Sequence, residues 1–407
     1  MSRVIRPATA LRGEVRVPSD KSIGHRALMA AAIADGESQV RIHDAGADLE
    51  STRSCLAALG TGAVLDCGNS GTTMRLLTGL LAGQRVAAVL DGDASLRRRP
   101  MERIAAPLRT MGADVTTTDG HAPIRVVPGA LRATQHRLEI ASAQVLGAIC
   151  LAALGAEGET AVDVPGETRD HTERLLAWLG VAIRRDGLRT TVRGPARPRA
   201  FSLDVPGDPS SAAAWVVAAT LHPDAELRLV DVCLNPTRLA YVDVLRRMGA
   251  DIMVAQERDD GPERVGDLVV RSAPRLEAVS LAGDEVPALI DELPLLAVAM
   301  AAADGESELR DAGELRVKES DRIAAVVAGL SGIGARVDER PDGWRVSRGT
   351  PRDAEITTDA DHRIAIAFAI AALSGVGATV RIDDAECASV SYPSFWNDLE
   401  QLAAVPA

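Results

Sequence analysis

The sequence predicts a mixed α/β (α+β) fold, and three observations carry that reading. One supersecondary unit recurs along the chain, several helices are apolar on nearly every face, and two junctions rich in Pro, Gly and Asp interrupt the pattern. At 407 residues the chain is long enough for two or three domains.

The recurring unit reads as an amphipathic helix, a glycine at its end, a strand, an Asp-Gly turn and a second strand. It runs from Leu108 through Gly112 to Val126, and from Leu175 through Gly180 to Val192. It recurs from Leu245 through Gly249 to Val270, and from Gly329 through Gly334 to Val346. A shorter form spans Leu56 to Val64. Spacings of roughly 50 to 85 residues make these whole supersecondary units rather than a solenoid repeat, and about six fit the length.

Other helices fill the intervals. They are expected over 23–34, from Gly71 to Leu81, over 143–154, over 212–220 with Pro209-Ser210-Ser211 as cap, over 288–303 and over 362–373. The last four are apolar almost throughout, so they belong inside. Buried helices with sheets of mixed direction give the α/β or α+β architecture. The domain junctions are expected at Val15 to Asp20 and at Val205 to Pro209.

Composition narrows the function. Aromatics are 2% of the chain, so the core must be aliphatic, with Trp178, Trp215, Trp344 and Trp396 as isolated large fillers. A net charge of -12 disfavours nucleic acid or an anionic membrane as partner, yet leaves room for a cationic pocket that takes a small anion. The five cysteines, Cys55, Cys67, Cys150, Cys233 and Cys387, show no CxxC spacing, which argues against a disulfide framework or a zinc site. The N-terminus lacks the apolar run of a secretory signal. The apolar stretches 143–156 and 286–303 are short or broken by Asp291 and Glu292, so no membrane span is expected. The expectation is a reduced, soluble, cytoplasmic protein.

Only two lysines occur, Lys21 and Lys318, against forty-three arginines. Where charge alone suffices this chain uses arginine, so the lysines mark places that need a compact, movable ammonium. Each keeps a second cation within a helical turn or so, Arg26 after Lys21 and Arg322 after Lys318. Such pairs at the opening of a helix suit a phosphate or carboxylate.

With these residues in view, the chain resembles the 5-enolpyruvylshikimate-3-phosphate synthases, a family of enolpyruvyl transferases. The resemblance spans nearly the whole length. It rests on Ser19-Asp20-Lys21-Ser22 with Arg26, Gly68 to Thr72 with Met74-Arg75, Arg99-Pro100-Met101, Ser142-Ala143-Gln144 and Arg169 to Glu173. It continues through Pro206 to Ser211, Asn235 to Arg238, Asp291-Glu292, Leu315 to Arg322 and Asp361-His362-Arg363. It implies an inside-out α/β barrel fold of two domains closing over a cleft, each with three βαβαββ repeats around buried helices. Domain I would comprise 1–19 plus 207–407, and domain II 20–206.

The implied reaction moves the enolpyruvyl group of phosphoenolpyruvate onto the 5-hydroxyl of shikimate 3-phosphate by addition and elimination, on the route to chorismate. It implies no metal and no cofactor, and it makes the protein a target of glyphosate. By resemblance, Lys21, Asn69, Gly71, Arg99, Gln144, Arg322 and Arg363 would hold phosphoenolpyruvate. Lys21, Ser22, Arg26, Ser142, Ala143, Gln144, Arg169, Asp291 and Lys318 would hold shikimate 3-phosphate. Lys21, Asp291, Lys318 and Glu319 would act in catalysis, Asp291 on the hydroxyl proton and Glu319 on the methylene carbon. Thr168, His171, Glu314 and His362 are further candidates. Thr168 and His171 stand where many members have Ser and Tyr, Glu314 where Asn is common, and Val390 where many have lysine.

Plainer readings compete. Asp291-Glu292 suits a helix cap, Asn69-Ser70-Gly71 a turn and cap, Arg169 to Glu173 an exposed helix start, and His362 a structural histidine. Among enzymes, UDP-N-acetylglucosamine enolpyruvyl transferases share fold and donor, but their loop cysteine is absent from Asp91 to Arg98. A relative of the RNA 3'-phosphate cyclases would want a basic surface. A non-catalytic anion-binding protein would not need Lys318-Glu319 together with Asp291. A monomer is expected.

Overall fold

Each Gly-terminated helix of the repeat is followed by an antiparallel hairpin, and each hairpin completes a four-stranded sheet. In the computed structural model, which describes residues 1–259 and 261–403, this happens four times. The last four residues of the expected domain I lie outside the described residues. The chain divides into two compact units. One holds Met1–Pro18, Pro206–Arg258 and Arg264–Ala407; the other holds Ser19–Val205 and Asp259–Glu263.

In the second unit the first full repeat runs strand Leu65–Asp66, helix Gly71–Gln84, strand Ala88–Asp91, helix Glu102–Thr110, and hairpin Asp114–Thr118 with His121–Val127. Strands Leu65–Asp66 and Ala88–Asp91 are parallel; the hairpin pairs antiparallel beside them. The second repeat copies this order with strands Gln135–Arg137, Gly158–Asp163, Ile183–Asp186 and Arg189–Gly194. A third, truncated repeat pairs Ser202–Asp204 in parallel with Gln39–Arg41. The other unit repeats the plan. Leu11–Val15 pairs in parallel with Ala225–Cys233 and is extended by the hairpin of Asp251–Arg258 and Val265–Arg271. Ser280–Leu281, Glu306–Leu309, Arg336–Arg340 and Gly343–Ser347 form the next sheet, and Ala354–Ile356, Val380–Ile382 and Arg3–Ile5 a three-stranded remnant. The mixed sheets are thus βαβαββ units with a parallel pair and an antiparallel hairpin.

The glycines after the outer helices have a conformational reason. Gly112, Gly180, Gly249 and Gly334 sit at φ between 84° and 106°, a left-handed region closed to most side chains, and this turns the chain from helix into strand.

Inside each unit lie three helices with little polar surface. The second unit buries Lys21–Ile33, Gly71–Gln84 and Ala143–Ala153; the first buries Pro209–Leu221, Leu293–Ala302 and His362–Leu373. Backbones touch where small residues allow it. A Cβ on Gly79 would stand 2.1 Å from the Ala148 carbonyl oxygen, so these two helices pack closer than any side chain would permit.

Three expectations need correction. The helix at 212–220 begins at Pro209, and Asp208 rather than the serines caps it, accepting from the Ser210 amide at 2.8 Å. The helix at 288–303 is two pieces, Val286–Leu289 and Leu293–Ala302. Pro294 explains the break: inside a continuous helix its ring would clash with the carbonyl of Ile290, so a new helix starts with proline in its first turn. Three of the four tryptophans are not isolated; Trp344 alone is a buried filler without a ring contact among the described residues. Trp215 stacks on Phe395 at 5.5 Å and donates to the Tyr392 hydroxyl at 2.8 Å, Phe395 meets Trp396 at 4.9 Å, and Trp178 meets Phe201 at 5.7 Å.

Candidate active site

Nearly every candidate residue lies in the first turn of a helix or within four residues before one. The exceptions are Arg26, one turn further in, and Glu314, in a short 3-10 turn. A helix N-terminus exposes unpaired amides and a partial positive charge, so the fold aims its anion-attracting ends at these positions.

In the second unit Asp20 caps the helix that starts at Lys21 by accepting from the Ile23 amide at 2.8 Å. Lys21 Nζ donates to Asp48 Oδ2 at 3.0 Å. Burial opposes the Asp48 charge, but Lys21 prevails and holds its carboxyl below the ordinary range. Half-buried Ser22 gives its carbonyl to Arg26 Nη1 at 2.9 Å, and buried Arg26 donates through Nε to Thr172 Oγ1 at 2.6 Å. Helix Gly71–Gln84 is capped by Ser70, which accepts from the Thr73 amide at 3.1 Å, in keeping with the turn-and-cap reading of Asn69-Ser70-Gly71. Asn69 instead donates to Asp93 at 2.8 Å and accepts from Arg99 at 2.6 Å, which turns Arg99 toward the start of that helix. A Cβ on Gly71 would come within 2.8 Å of Arg75 Nη1 and 3.3 Å of Arg99 Nη1. Gly71 therefore leaves room for two guanidinium groups beside free amides.

Ser142 caps the third helix through the Val145 amide, with Ala143 and Gln144 in its first turn. The Gln144 side chain is fixed at both ends: Oε1 accepts from Arg75 at 2.5 Å and Nε2 donates to Thr72 at 2.9 Å. Arg75 closes the motif that begins at Gly68. It is buried, its Nε has no partner among the described residues, and burial with Arg103 and Arg99 pushes its pKa down to about 10. Arg169 is half-buried just before helix His171–Trp178. Thr168 buries a hydroxyl without a partner among the described residues. His171 is buried and its Nδ1 lies 2.6 Å from Glu263 Oε1. Asp48 and Glu263 carried no sequence signal; pairing of this kind is made by the fold.

In the first unit Arg322 is the buried centre. Its Nε donates to Asp361 Oδ2 at 2.8 Å and its Nη2 to Glu319 Oε2 at 2.7 Å. Burial works against its charge, yet Asp361 and Glu319 outweigh this and raise its pKa. Asp361 also caps the helix that follows, accepting from the Arg363 amide at 2.9 Å, with buried His362 as that helix's first residue. Lys318 donates to Glu314 at 2.5 Å, so Glu314 stands as a partner of Lys318. Asp291 and Arg363 line one pocket with Ser210, Ser211, Ser391 and Tyr392. Glu292, not Asp291, is at the cap position, and its carboxylate accepts from the Ser210 hydroxyl instead of capping the helix. The cap reading of Asp291-Glu292 thus fails, and Asp291 is left facing the pocket.

The arrangement can bind polyanions on amides and guanidinium groups, and it offers carboxylates, Asp291 and Glu319, for proton transfer. Among the described residues no cluster of His, Cys, Asp and Glu could hold a metal ion, and no helix is long and apolar enough to cross a membrane.

Comparison with known proteins gives one answer. The family model described as EPSP synthase (3-phosphoshikimate 1-carboxyvinyltransferase) matches residues 5–63 and 61–399. A 3-phosphoshikimate 1-carboxyvinyltransferase of Roseiflexus castenholzii is 49% identical, covering 96% of this chain and 97% of that protein. One from Salinibacter ruber is 46% identical over 99% of this chain and 100% of the relative. The solved EPSP synthase of Acinetobacter baumannii superposes with a TM-score of 0.90 at 37% identity, covering 99% of this chain and 98% of that one. The enolpyruvyl transferase NikO of Streptomyces tendae shares the fold at a TM-score of 0.74 and 19% identity.

Proposed function

Because this chain belongs to the EPSP synthase (3-phosphoshikimate 1-carboxyvinyltransferase) family, we propose that the helix-start residues of both units carry that family's reaction. The enzyme transfers the enolpyruvyl group of phosphoenolpyruvate to the 5-hydroxyl of shikimate 3-phosphate and releases phosphate. Lys21, Asn69, Gly71, Arg99, Gln144, Arg322 and Arg363 hold phosphoenolpyruvate. Ser22, Arg26, Ser142, Ala143, Gln144 and Arg169 hold shikimate 3-phosphate, with Lys21, Asp291 and Lys318 near the reacting hydroxyl. The domains are 1–19 plus 207–407 and 20–206.

In the addition, Asp291 takes the proton of the 5-hydroxyl as its oxygen bonds to C2 of phosphoenolpyruvate. Glu319 supplies a proton to C3, which becomes a methyl group. In the elimination, the C2–O bond to phosphate breaks, the methyl group returns a proton to Glu319, and the proton held by Asp291 leaves with the phosphate. Lys318 and Lys21 stabilise the charge on the departing phosphate. Thr168 and His171 shape the sugar-phosphate side, and Glu314 and His362 support Lys318 and Arg363. The enzyme acts as a cytoplasmic monomer, which light scattering on the purified chain would check.

The observation that carries this reading is the placement of the candidate residues at helix N-termini. Phosphate release from phosphoenolpyruvate, run with shikimate 3-phosphate or UDP-N-acetylglucosamine as acceptor, tests it. Release should need shikimate 3-phosphate and should fall by about three orders of magnitude in D291N and E319Q. Full turnover in E319Q would refute the assignment.

A further inference from the structure

Three helices of the second unit are tied by a polar ladder. Lys21 and His25 stand one turn apart on helix Lys21–Ile33, and Asp48 and Thr52 one turn apart on helix Ala47–Ala57. The first rung is Lys21 to Asp48; the second joins His25 Nδ1 and Thr52 Oγ1 at 2.7 Å. Thr52 Oγ1 then meets Thr73 Oγ1 at 2.7 Å, and Thr73 Oγ1 lies 2.7 Å from Ser70 Oγ, the cap of the Gly71 helix. The Thr73 hydroxyl also reaches the Asp48 carbonyl oxygen at 3.3 Å. His25, Thr52, Ser70 and Thr73 are all 0% exposed.

Apolar side chains of similar size would pack this space without the cost of desolvating four polar ones. What they would lose is direction. Each hydroxyl has one proton to give, so the order of donors is constrained. Burial pushes the His25 pKa down to about 3, so the ring is neutral and carries one proton. Its Nε2 has no partner among the described residues. With the proton on Nδ1, His25 donates to Thr52, Thr52 to Thr73 at 2.7 Å in preference to the Asp48 carbonyl at 3.5 Å, and Thr73 to Ser70 or to that carbonyl. Only a ring lone pair is then unmet, whereas the other tautomer would bury an unmet N–H.

We infer that Thr52, aligned by His25 and Thr73, is a positioning residue for phosphoenolpyruvate. The ladder ends at Lys21 on one side and at the Ser70-Gly71 turn on the other, and it fixes the spacing between that ammonium and those amides. This rests on the reading of Lys21 and Gly71 as phosphoenolpyruvate contacts.

Steady-state kinetics of T52V, T52S, H25L and H25N, each checked for folding by thermal unfolding, test it. T52V and H25L should raise KM for phosphoenolpyruvate about tenfold, the loss of one buried hydrogen bond in the ligand's frame. KM for shikimate 3-phosphate should rise by no more than about twofold, because Ser142, Ala143 and Arg169 lie off the ladder and Ser22 and Arg26, though on the same helix as His25, make none of its bonds. T52S and H25N keep a polar atom in place and should return to within about threefold of the parent. A T52V enzyme with unchanged KM and a lower Tm, or one in which both KM values rise alike, overturns the inference. Should T52V not fold, H25L against H25N decides by the same split, and a 15N shift placing the His25 proton on Nε2 also counts against the ladder. K21M separates the two failures: unchanged KM for phosphoenolpyruvate in K21M refutes the site reading itself, whereas a raised value beside a normal T52V refutes the ladder alone.

Discussion

Replacing Asp361 with Asn takes one charge and almost no volume from the first unit. Asp361 is 0% and Arg322 2% exposed, and bonds of 2.8 and 3.3 Å join them. Asn can still accept from the Arg363 amide, so the helix cap survives. Arg322 then keeps one ion pair, to Glu319, whose side chain is 40% exposed, and the more distant charge of Asp291. Breaking a buried pair by removing one partner costs on the order of 3–5 kcal/mol, and the surviving Glu319 bond sets this case at about 3. At about 2–4 °C per kcal/mol for a body of this size, Tm falls by about 6–12 °C. E319Q breaks a pair that water already screens, worth up to about 1 kcal/mol, so Tm moves little while turnover collapses. Burial opposes ionisation of Asp361, but Arg322 wins and keeps its carboxyl below the ordinary range. A depressed pKa stabilises above the unfolded value near about 3.9, and the gain is lost as pH falls through the folded value. The stability curves of D361N and the parent should therefore converge in acid. Calorimetry from neutral pH downward, with phosphate release on the same samples, reads both effects. A D361N protein as stable as the parent, or an E319Q protein destabilised as much as D361N, refutes the reasoning.

G71A should fold, because the atoms its Cβ would crowd are the ends of flexible arginines, yet displacing Arg75 and Arg99 should raise KM for phosphoenolpyruvate about tenfold. An unchanged KM would mean that neither guanidinium needs that space. K21M should shift acid unfolding to higher pH. The stability from the depressed Asp48 pKa is present above the unfolded value and lost as pH falls, and without Lys21 burial is opposed only by His25 and Arg99, so that pKa moves up. An unmoved acid midpoint in a pH titration followed by circular dichroism would contradict this. E263Q should lower Tm, because the Glu263 carboxylate is buried against His171, and it should weaken shikimate 3-phosphate binding more than phosphoenolpyruvate binding. Calorimetric titration with each substrate checks the second point.

What could be read in the sequence was local. Helix His362–Leu373 was legible to the residue because an Asp cap precedes an unbroken apolar run. The break before Leu293 was missed because apolar character alone reads through a proline that geometry does not. Lys21 and Lys318 stood out by scarcity, and Arg322 by its motif. Of their carboxylate partners, Glu314, Glu319 and Asp361 lay in motifs but their pairings did not show, and Asp48 carried no signal at all. Asp48 lies 27 residues from Lys21 and Asp361 lies 39 from Arg322, so nothing short of the folded sheets brings them together. Glu263 was invisible for the same reason: it sits on a hairpin tip that groups with the other unit.

The pairing pattern separates two kinds of cation. Lys21, Lys318 and Arg322 each hold a carboxylate, which fixes where the charge points and lowers what it can offer a ligand. Arg75 and Arg99 bond to amides, Gln144 and Asn69. Among the described residues no side-chain bond or ion pair holds the Arg363 guanidinium, which faces the Asp291 pocket. A buried cation without a counter-charge is costly, and burial and its neighbours already push the Arg75 pKa down. An arriving phosphate or carboxylate relieves that cost, so its binding gains most at the unpaired arginines and is oriented at the paired ones. A chain with net charge -12 can therefore attract a polyanion without a basic surface. The work falls to a few guanidinium groups that the fold leaves unanswered, set beside helix amides that repel nothing negative.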